Sequence, residues 1–335
     1  VVHAHNLNPT LGWRALAAAR DAGARVVLHL HQYRLVCAVG VCFTQGEECV
    51  RCHGRNTLPG VLRNCRGSRA EALVYGAGLA LWQHRLVEQA DAVIVPSEFA
   101  RERLRALDAP LPWERVHVLA PPVRALADGA PAARRPPEGY ALVVARLSPE
   151  KGVDVAIEAC RRANIPLVVA GEGLEDAAGG GGWSGGGARS GSEGWPSGTR
   201  GASAPGGASD VGEGMVRFAG RVGDARLAQL RAGAALALAP SRSAETFGLA
   251  AAEAMAAGLP VAGSRVGALP ELIGEEGLAP AGDAAALAAA IERLRCDPRA
   301  GERALARVRA LCAPEVVAGR LAEIYESAAL HYAPS

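Results

Sequence analysis

Glu245 and Glu253 stand eight residues apart within the run 239–273, APSRSAETFGLAAAEAMAAGLPVAGSRVGALPELI. A buried strand ends at Pro240, a loop carries Glu245, and a helix opens at Thr246, Phe247, Gly248 and Leu249. The amino end of a helix with a glycine beside it offers free backbone N–H groups and a positive dipole, a ready site for a diphosphate. Roughly two helical turns separate the carboxylates, so one can meet a ligand's sugar end and the other a ribose further along. In a second run, ARLSPEKGVDVAIEA, Arg146 follows a strand and Lys151 opens a helix. Two cations about a turn apart can clamp a diphosphate, arginine as a fork and lysine as a point charge. Downstream, VVAGEG places Gly171 and Gly173 at a strand end, where a missing side chain lets a nucleotide approach the backbone.

With its flanks PSR, ETFGL, EAM-AG-LPV and G-LPELI, the 239–273 run resembles the Glu-x7-Glu signature of glycosyltransferase family 4. The resemblance implies a GT-B-like α/β fold, two Rossmann-like domains facing a cleft, and retaining transfer from a nucleoside diphosphate sugar to an acceptor hydroxyl, the acceptor being unknown. It assigns Arg146 and Lys151 to the departing diphosphate, Glu245 to the sugar and Glu253 to ribose hydroxyls. Gly171, Gly173 and the stretch Thr246, Phe247, Gly248 and Leu249 then line the nucleotide. VVHAHN, VVLHLHQYRL and ADAVIVPSEFARERL resemble the family's amino-domain strands more loosely. His31, expected to end the second strand, matches a histidine that reaches the donor sugar from the facing domain. Relatives open with a strand, a Gly-rich loop and a helix. This sequence opens in a strand-like run at Val1, so the expectation is a first domain without that opening, amino-terminally truncated. Two other readings stay open, a truncated protein that binds nucleotide sugar without turnover and an epimerase of the same fold. The epimerase would need an acid/base set near the anomeric carbon. No residue stands out as a nucleophile, which suits a front-face mechanism and no catalytic cofactor.

Cys49-x2-Cys52 has a metal-knuckle spacing, and Cys37 and Cys65 bracket it. The expectation is a structural zinc on Cys37, Cys49, Cys52 and Cys65 with Cys42 spare, or else reduced thiols in a loop. Arg51, Arg55, Arg63, Arg66 and Arg69 surround these cysteines and could meet an anionic acceptor or a membrane surface, or form a solvated face.

The elements that must position these residues follow from apolar patterning. Strands are expected at 1–5, 25–31, 92–96, 116–120, 140–145, 166–170, 216–219, 234–239 and 260–263. Helices alternate with them at 12–21, 98–107, 153–163, 224–232, 249–257 and 283–294. Continuous apolar strands alternating with helices read as parallel sheets covered on both faces. At 335 residues the chain exceeds one core, so an acceptor-side domain (1–122) and a donor domain (139–312) are expected around a linker at 123–138. The Gly/Ser-rich stretch 177–214 reads as a disordered insertion, and 313–335 as a final helix that returns to the first domain. A net charge of +2 and 4% aromatic residues argue against a nucleic-acid partner. There is no Asp-x-Asp for a metal-dependent transferase and no Gly-x-Gly-x-x-Gly following a strand for a nicotinamide enzyme. No apolar run approaches the ~20 residues of a membrane span, and no signal peptide opens the sequence. A reducing, cytoplasmic setting follows, at the inner membrane face if the arginine loop meets lipid.

Overall fold

The computed structural model describes residues 1–6, 12–127, 138–173 and 215–330. In the first half, β1 (Val2–His5), α1 (Gly12–Asp21) and β2 (Val26–His29) lead to a small hairpin, β3 (Phe43–Thr44) and β4 (Glu47–Glu48). Then come α2 (Leu58–Leu62), α3 (Arg69–Glu88), β5 (Ala92–Val95), α4 (Glu98–Ala106) and β6 (Val116–Val118). The four long strands form one sheet in the order β1-β2-β5-β6, every pair parallel. Strands β2 and β5 are buried along their whole length and apolar except for His29 at the end of β2, the pattern of parallel strands covered on both faces. Ser97 begins α4 by accepting the amide of Ala100 on its hydroxyl, 3.0 Å away.

The second half runs β7 (Tyr140–Val144), α5 (Val153–Arg162), β8 (Leu167–Ala170), β9 (Val216–Gly220), α6 (Asp224–Gly233) and β10 (Ala234–Ala239). It continues with α7 (Leu249–Ala256), β11 (Val261–Ser264), α8 (Leu269–Leu272), β12 (Leu278–Ala279), α9 (Ala284–Cys296), α10 (Ala300–Cys312) and α11 (Pro314–Leu330). Six parallel strands lie in the order β12-β11-β10-β7-β8-β9. One face of this sheet buries Leu142, Val168 and Ala237 against Met255 and Val308. The other buries Val143, Leu167 and Leu236 against Ala159 and Ile291. Helix α11 crosses back: its Val317, Ile324 and Ala328 pack on Val27, Ala92, Ile94 and Leu119 of the first sheet.

Some elements depart from the sequence reading. Strand β2 stops at His29, so His31 lies just past the strand end. Helix α3 was unread, because apolar residues cover its whole circumference: Ala72, Gly76, Leu79 and Leu86 are buried while Leu73, Val74, Leu81 and Trp82 stand exposed. Such a helix shows no apolar stripe to detect. Helices α2, α8 and α10 and the short strands β3, β4 and β12 were also unread. The insertion 177–214 and most of the linker 123–138 lie outside the described residues. Among those described, no helix is long and apolar enough to cross a membrane.

Candidate functional site

In open parallel sheets, ligands meet the loops that leave the carboxyl ends of the strands. Strand β7 delivers the loop with Arg146 and Lys151, and its sheet neighbour β10 delivers the loop with Glu245. Gly152 makes their close approach feasible. It has φ +63°, and a Cβ there would stand 2.1 Å from the Pro240 carbonyl oxygen. The amide of Arg242 donates to the Glu150 carbonyl (2.8 Å), joining the two loops. Lys151 Nζ consequently sits 2.6 Å from Glu245 Oε1, and Ser241 Oγ donates to the same oxygen at 2.6 Å. Arg146 reaches outward, its side chain 69% exposed, and meets Glu150 Oε1 at 3.3 Å. Ser148 Oγ donates to that oxygen too, at 2.7 Å. Ser241 and Glu150 are site residues that the sequence reading did not single out; their nearness to Glu245 and Lys151 in the chain was the available signal.

Gly248 caps α7 at φ +96°, and Phe247 is buried in the core, so the amino end of α7 can offer a ligand backbone rather than the Phe247 ring. Thr246 joins the two halves: its hydroxyl donates to the His31 carbonyl (2.9 Å), and its own carbonyl accepts from Ser97 Oγ (2.7 Å). Glu271, in the LPELI flank, accepts the amides of Glu98 (3.1 Å) and Phe99 (2.6 Å). A carboxylate of the second half thereby sits at the amino end of α4 in the first, where the helix dipole favours it. Glu253 stands apart from Glu245, paired at 2.5 Å with Arg231 of α6, an unanticipated partner. Gly171 and Gly173 pack against the end of β7: added Cβ atoms would lie 1.8 Å from the Ala145 oxygen and 3.0 Å from the Leu147 oxygen. Contact between neighbouring chain segments, where the sequence suggested nucleotide approach, already requires small residues there.

The imidazole of His31 belongs to a ladder of four. His5 Nδ1 contacts His31 Nε2 at 2.8 Å, His3 Nε2 contacts His29 Nδ1 at 3.2 Å, and His3 Nδ1 contacts the Tyr325 hydroxyl at 2.8 Å. His3 and His5, two apart on β1, share a face and their rings stack at 4.3 Å; His31, just beyond the end of β2, stacks on His29 at the same distance. The nearest nitrogens of His3, His5 and His29 lie within 4.8 Å of one another, and Nε2 of His29 is buried without a partner. Burial foremost, then the neighbouring imidazoles, lowers His3 to about 4 and His29 to about 3. Burial likewise lowers His5 and His31. Tyr33, two residues beyond His31, is another unread neighbour. Its hydroxyl is buried without a partner, and its pKa is raised by burial, then by Cys42, with Glu245 among the weaker causes.

All five clustered cysteines, Cys37, Cys42, Cys49, Cys52 and Cys65, line one cavity. The Cys42 thiol is hydrogen-bonded to the Cys37 sulfur; that contact, opposed by burial and helped by nearby amides, draws Cys37 down to about 6. The same contact, with burial, raises Cys42, while burial pushes Cys52 up to about 11. Arg63 pairs with Glu47 at 3.0 Å, and Arg66 donates to the Ala38 carbonyl at 2.9 Å and pairs with Glu71. These two of the five arginines around the cysteines tie the loop together.

Residues 1–122 match the family described as Glycosyl transferase 4-like domain, and residues 197–297 match Glycosyl transferases group 1. MMP alpha-(1->4)-mannosyltransferase of Mycolicibacterium hassiacum is 36% identical over 122 residues, 34% of this chain and 29% of its own. The chain thus spans about three-tenths of the length of the curated relatives it matches. Sucrose-phosphate synthase of Thermosynechococcus elongatus is similar in structure with a TM-score of 0.57 at 20% identity, over 98% of this chain and 74% of that one. HepE of Anabaena in complex with UDP-glucose aligns with a TM-score of 0.55 at 18% identity, over 94% of this chain and 77% of that one. With two parallel sheets joined at their strand ends and a glycosyltransferase domain matched in each half, the chain has the GT-B glycosyltransferase fold.

Proposed function

We propose that this chain is a retaining glycosyltransferase that moves a sugar from a nucleoside diphosphate sugar to an acceptor hydroxyl. One observation carries the reading: Lys151 Nζ lies 2.6 Å from Glu245 Oε1, joining motifs 94 residues apart where the β7 and β10 loops meet. The UDP-glucose held by HepE, a protein of the same fold, supports the donor class. An ammonium has three donors, so Lys151 can keep Glu245 and still take a phosphate oxygen. Arg146, exposed beside it, adds a fork for the diphosphate. Fixed cations around a leaving diphosphate act where negative charge develops, which suits a front-face transfer. Glu245, held by Lys151 and Ser241, orients the sugar and stabilises its developing positive charge. Glu253 takes the ribose, and His31 approaches the sugar from the first domain. The acceptor belongs to the first domain, where exposed Leu73, Val74, Leu81 and Trp82 on α3 suit an acceptor presented at the inner face of a membrane.

Calorimetry of the full chain with UDP, GDP and a donor panel that includes UDP-glucose tests this. Lys151→Ala is expected to weaken nucleotide binding by about 1.5–3 kcal/mol, the worth of a hydrogen bond to a charged group. Absence of nucleotide binding by the unaltered chain would sink the reading. Tight binding with no transfer to any acceptor would identify a binding protein instead.

A further inference from the structure

We propose that Cys37, Cys49, Cys52 and Cys65 hold a structural zinc ion that braces the loop following His31, while Cys42 stands beside the site without being a ligand. The segment 37–65 has almost no core of its own. Its regular elements are two strands of two residues each and one helix of five. Its larger aliphatic side chains turn outward, with Val50 46%, Leu58 57% and Leu62 69% exposed. Thiols take the inner position: the five cysteines surround one cavity, closed on its apolar side by Phe43 and Leu107. A short segment that buries so little apolar surface needs another source of order, and thiolate zinc sites supply it in small folds.

The backbone brings four thiols in from separate points. The Cys37 amide donates to the Tyr33 carbonyl (2.8 Å), and the Gly40 amide donates to Cys37 Sγ (3.4 Å). An N–H donor on a sulfur is the kind of outer contact that orients a metal thiolate. The Cys49 amide donates to the Cys42 carbonyl (2.8 Å), laying the end of β4 against the loop that carries Cys37. The Cys65 amide donates to the Gly60 carbonyl (3.0 Å), and a Cβ on Gly60 would lie 3.7 Å from Cys52 Sγ. The flank of α2 thereby brings Cys52 and Cys65 to the same cavity. His53, next in sequence to Cys52, faces Asp108 at 3.4 Å and is not a ligand. Cys42 is 1% exposed, whereas the other four thiols are half-buried, so it lies behind them in the wall of the cavity. The segment continues directly from His31, whose carbonyl holds Thr246, and from buried Tyr33, so an ion here stiffens the first domain's side of the junction.

The test uses the full chain, expressed with zinc and purified under reducing conditions. Mass spectrometry for metals should find zinc equimolar with the chain, released by a mercurial that blocks thiols. Exchange with Co2+ should give the strong visible bands of tetrahedral cobalt thiolate. Cys49→Ser and Cys65→Ser should lose the metal, and Cys42→Ser and Cys296→Ser should keep it. Alkylation of the unaltered chain keeps the question decidable if a ligand variant misfolds: Cys37, Cys49, Cys52 and Cys65 should be protected until a chelator is added. A zinc-free chain with a disulfide among these cysteines, alkylation indifferent to zinc, or metal loss in Cys42→Ser equal to that in Cys49→Ser would each overturn the assignment.

Discussion

Lys151 and Glu245 are 22% and 20% exposed and lie 2.6 Å apart, so neither charge acts alone. Truncating either leaves the other partly buried and uncompensated. Glu245→Gln keeps the shape and the contact with Ser241 but removes the charge. Transfer is expected to fall by at least about a hundredfold with UDP affinity nearly unchanged, the pattern of an interaction made in the transition state. Equal loss of both would show that the role assigned to Glu245 is wrong. Glu253 differs, because Arg231 is its partner and Arg231 Nε is already buried without one. Glu253→Ala strips that guanidinium further and should cost about 1–3 kcal/mol of stability besides weakening nucleotide binding. Thermal melting checks this; an unchanged midpoint would mean that the pair contributes nothing to the fold.

At the level of elements, the site depends on how closely strand ends can approach one another. Gly171, at the end of β8, has φ +149°, and its missing Cβ would stand 1.8 Å from the Ala145 carbonyl oxygen. The obstacle is backbone of the central sheet, which cannot yield as a flexible side chain would. Gly171→Ala should therefore cost about 3 kcal/mol or more, a core-disrupting magnitude. Gly23, at φ +82° with nothing within 4 Å, supplies the comparison. There an alanine meets only the backbone penalty of about 1–2 kcal/mol. Urea unfolding of both variants would separate steric from conformational cost, and equal losses would refute the close approach at Gly171.

Across the whole molecule, α11 carries the chain from the second sheet's half back to the first sheet, and its Tyr325 touches His3 at the edge of the histidine ladder. His3, near 4, and His29, near 3, lie below the ordinary histidine value of 6.5, as do His5 and His31 beside them. An unfolded chain therefore binds protons below pH 6.5 that the folded chain refuses. Stability should be level above that pH and fall as pH drops from 6.5 toward 4. Each refused proton adds a slope of up to about 1.4 kcal/mol per pH unit. Carboxylates titrate mostly below pH 5, so urea midpoints between pH 7 and 5 report the ladder together with Cys37, drawn down to about 6, and a histidine variant separates the two. His29→Asn should flatten the dependence; an unaltered slope would place its origin elsewhere.

The sequence by itself determined the layered α/β plan, because parallel strands buried on both faces read as near-continuous apolar runs, as β5 and β10 are and as β2 is up to His29. It also set local features such as the Ser97 and Asp283 caps, whose side chains reach amides three residues on. Spacing together with the flanking motifs that carry the family resemblance drew attention to Glu245, Glu253 and Lys151, and spacing to the CxxC pair. Only the tertiary structure decided which of these groups meet. Lys151 with Glu245, Glu253 with Arg231, four histidines from two strands, and Cys42 among the other thiols are each contacts across 5 to 94 residues of chain. Spacing along the chain carries turn and face information over a few residues, whereas these pairings depend on strand order and on which loops approach. Helix α3 escaped for the opposite reason. Its pattern is apolar on every side, and only its neighbours choose the side that is buried.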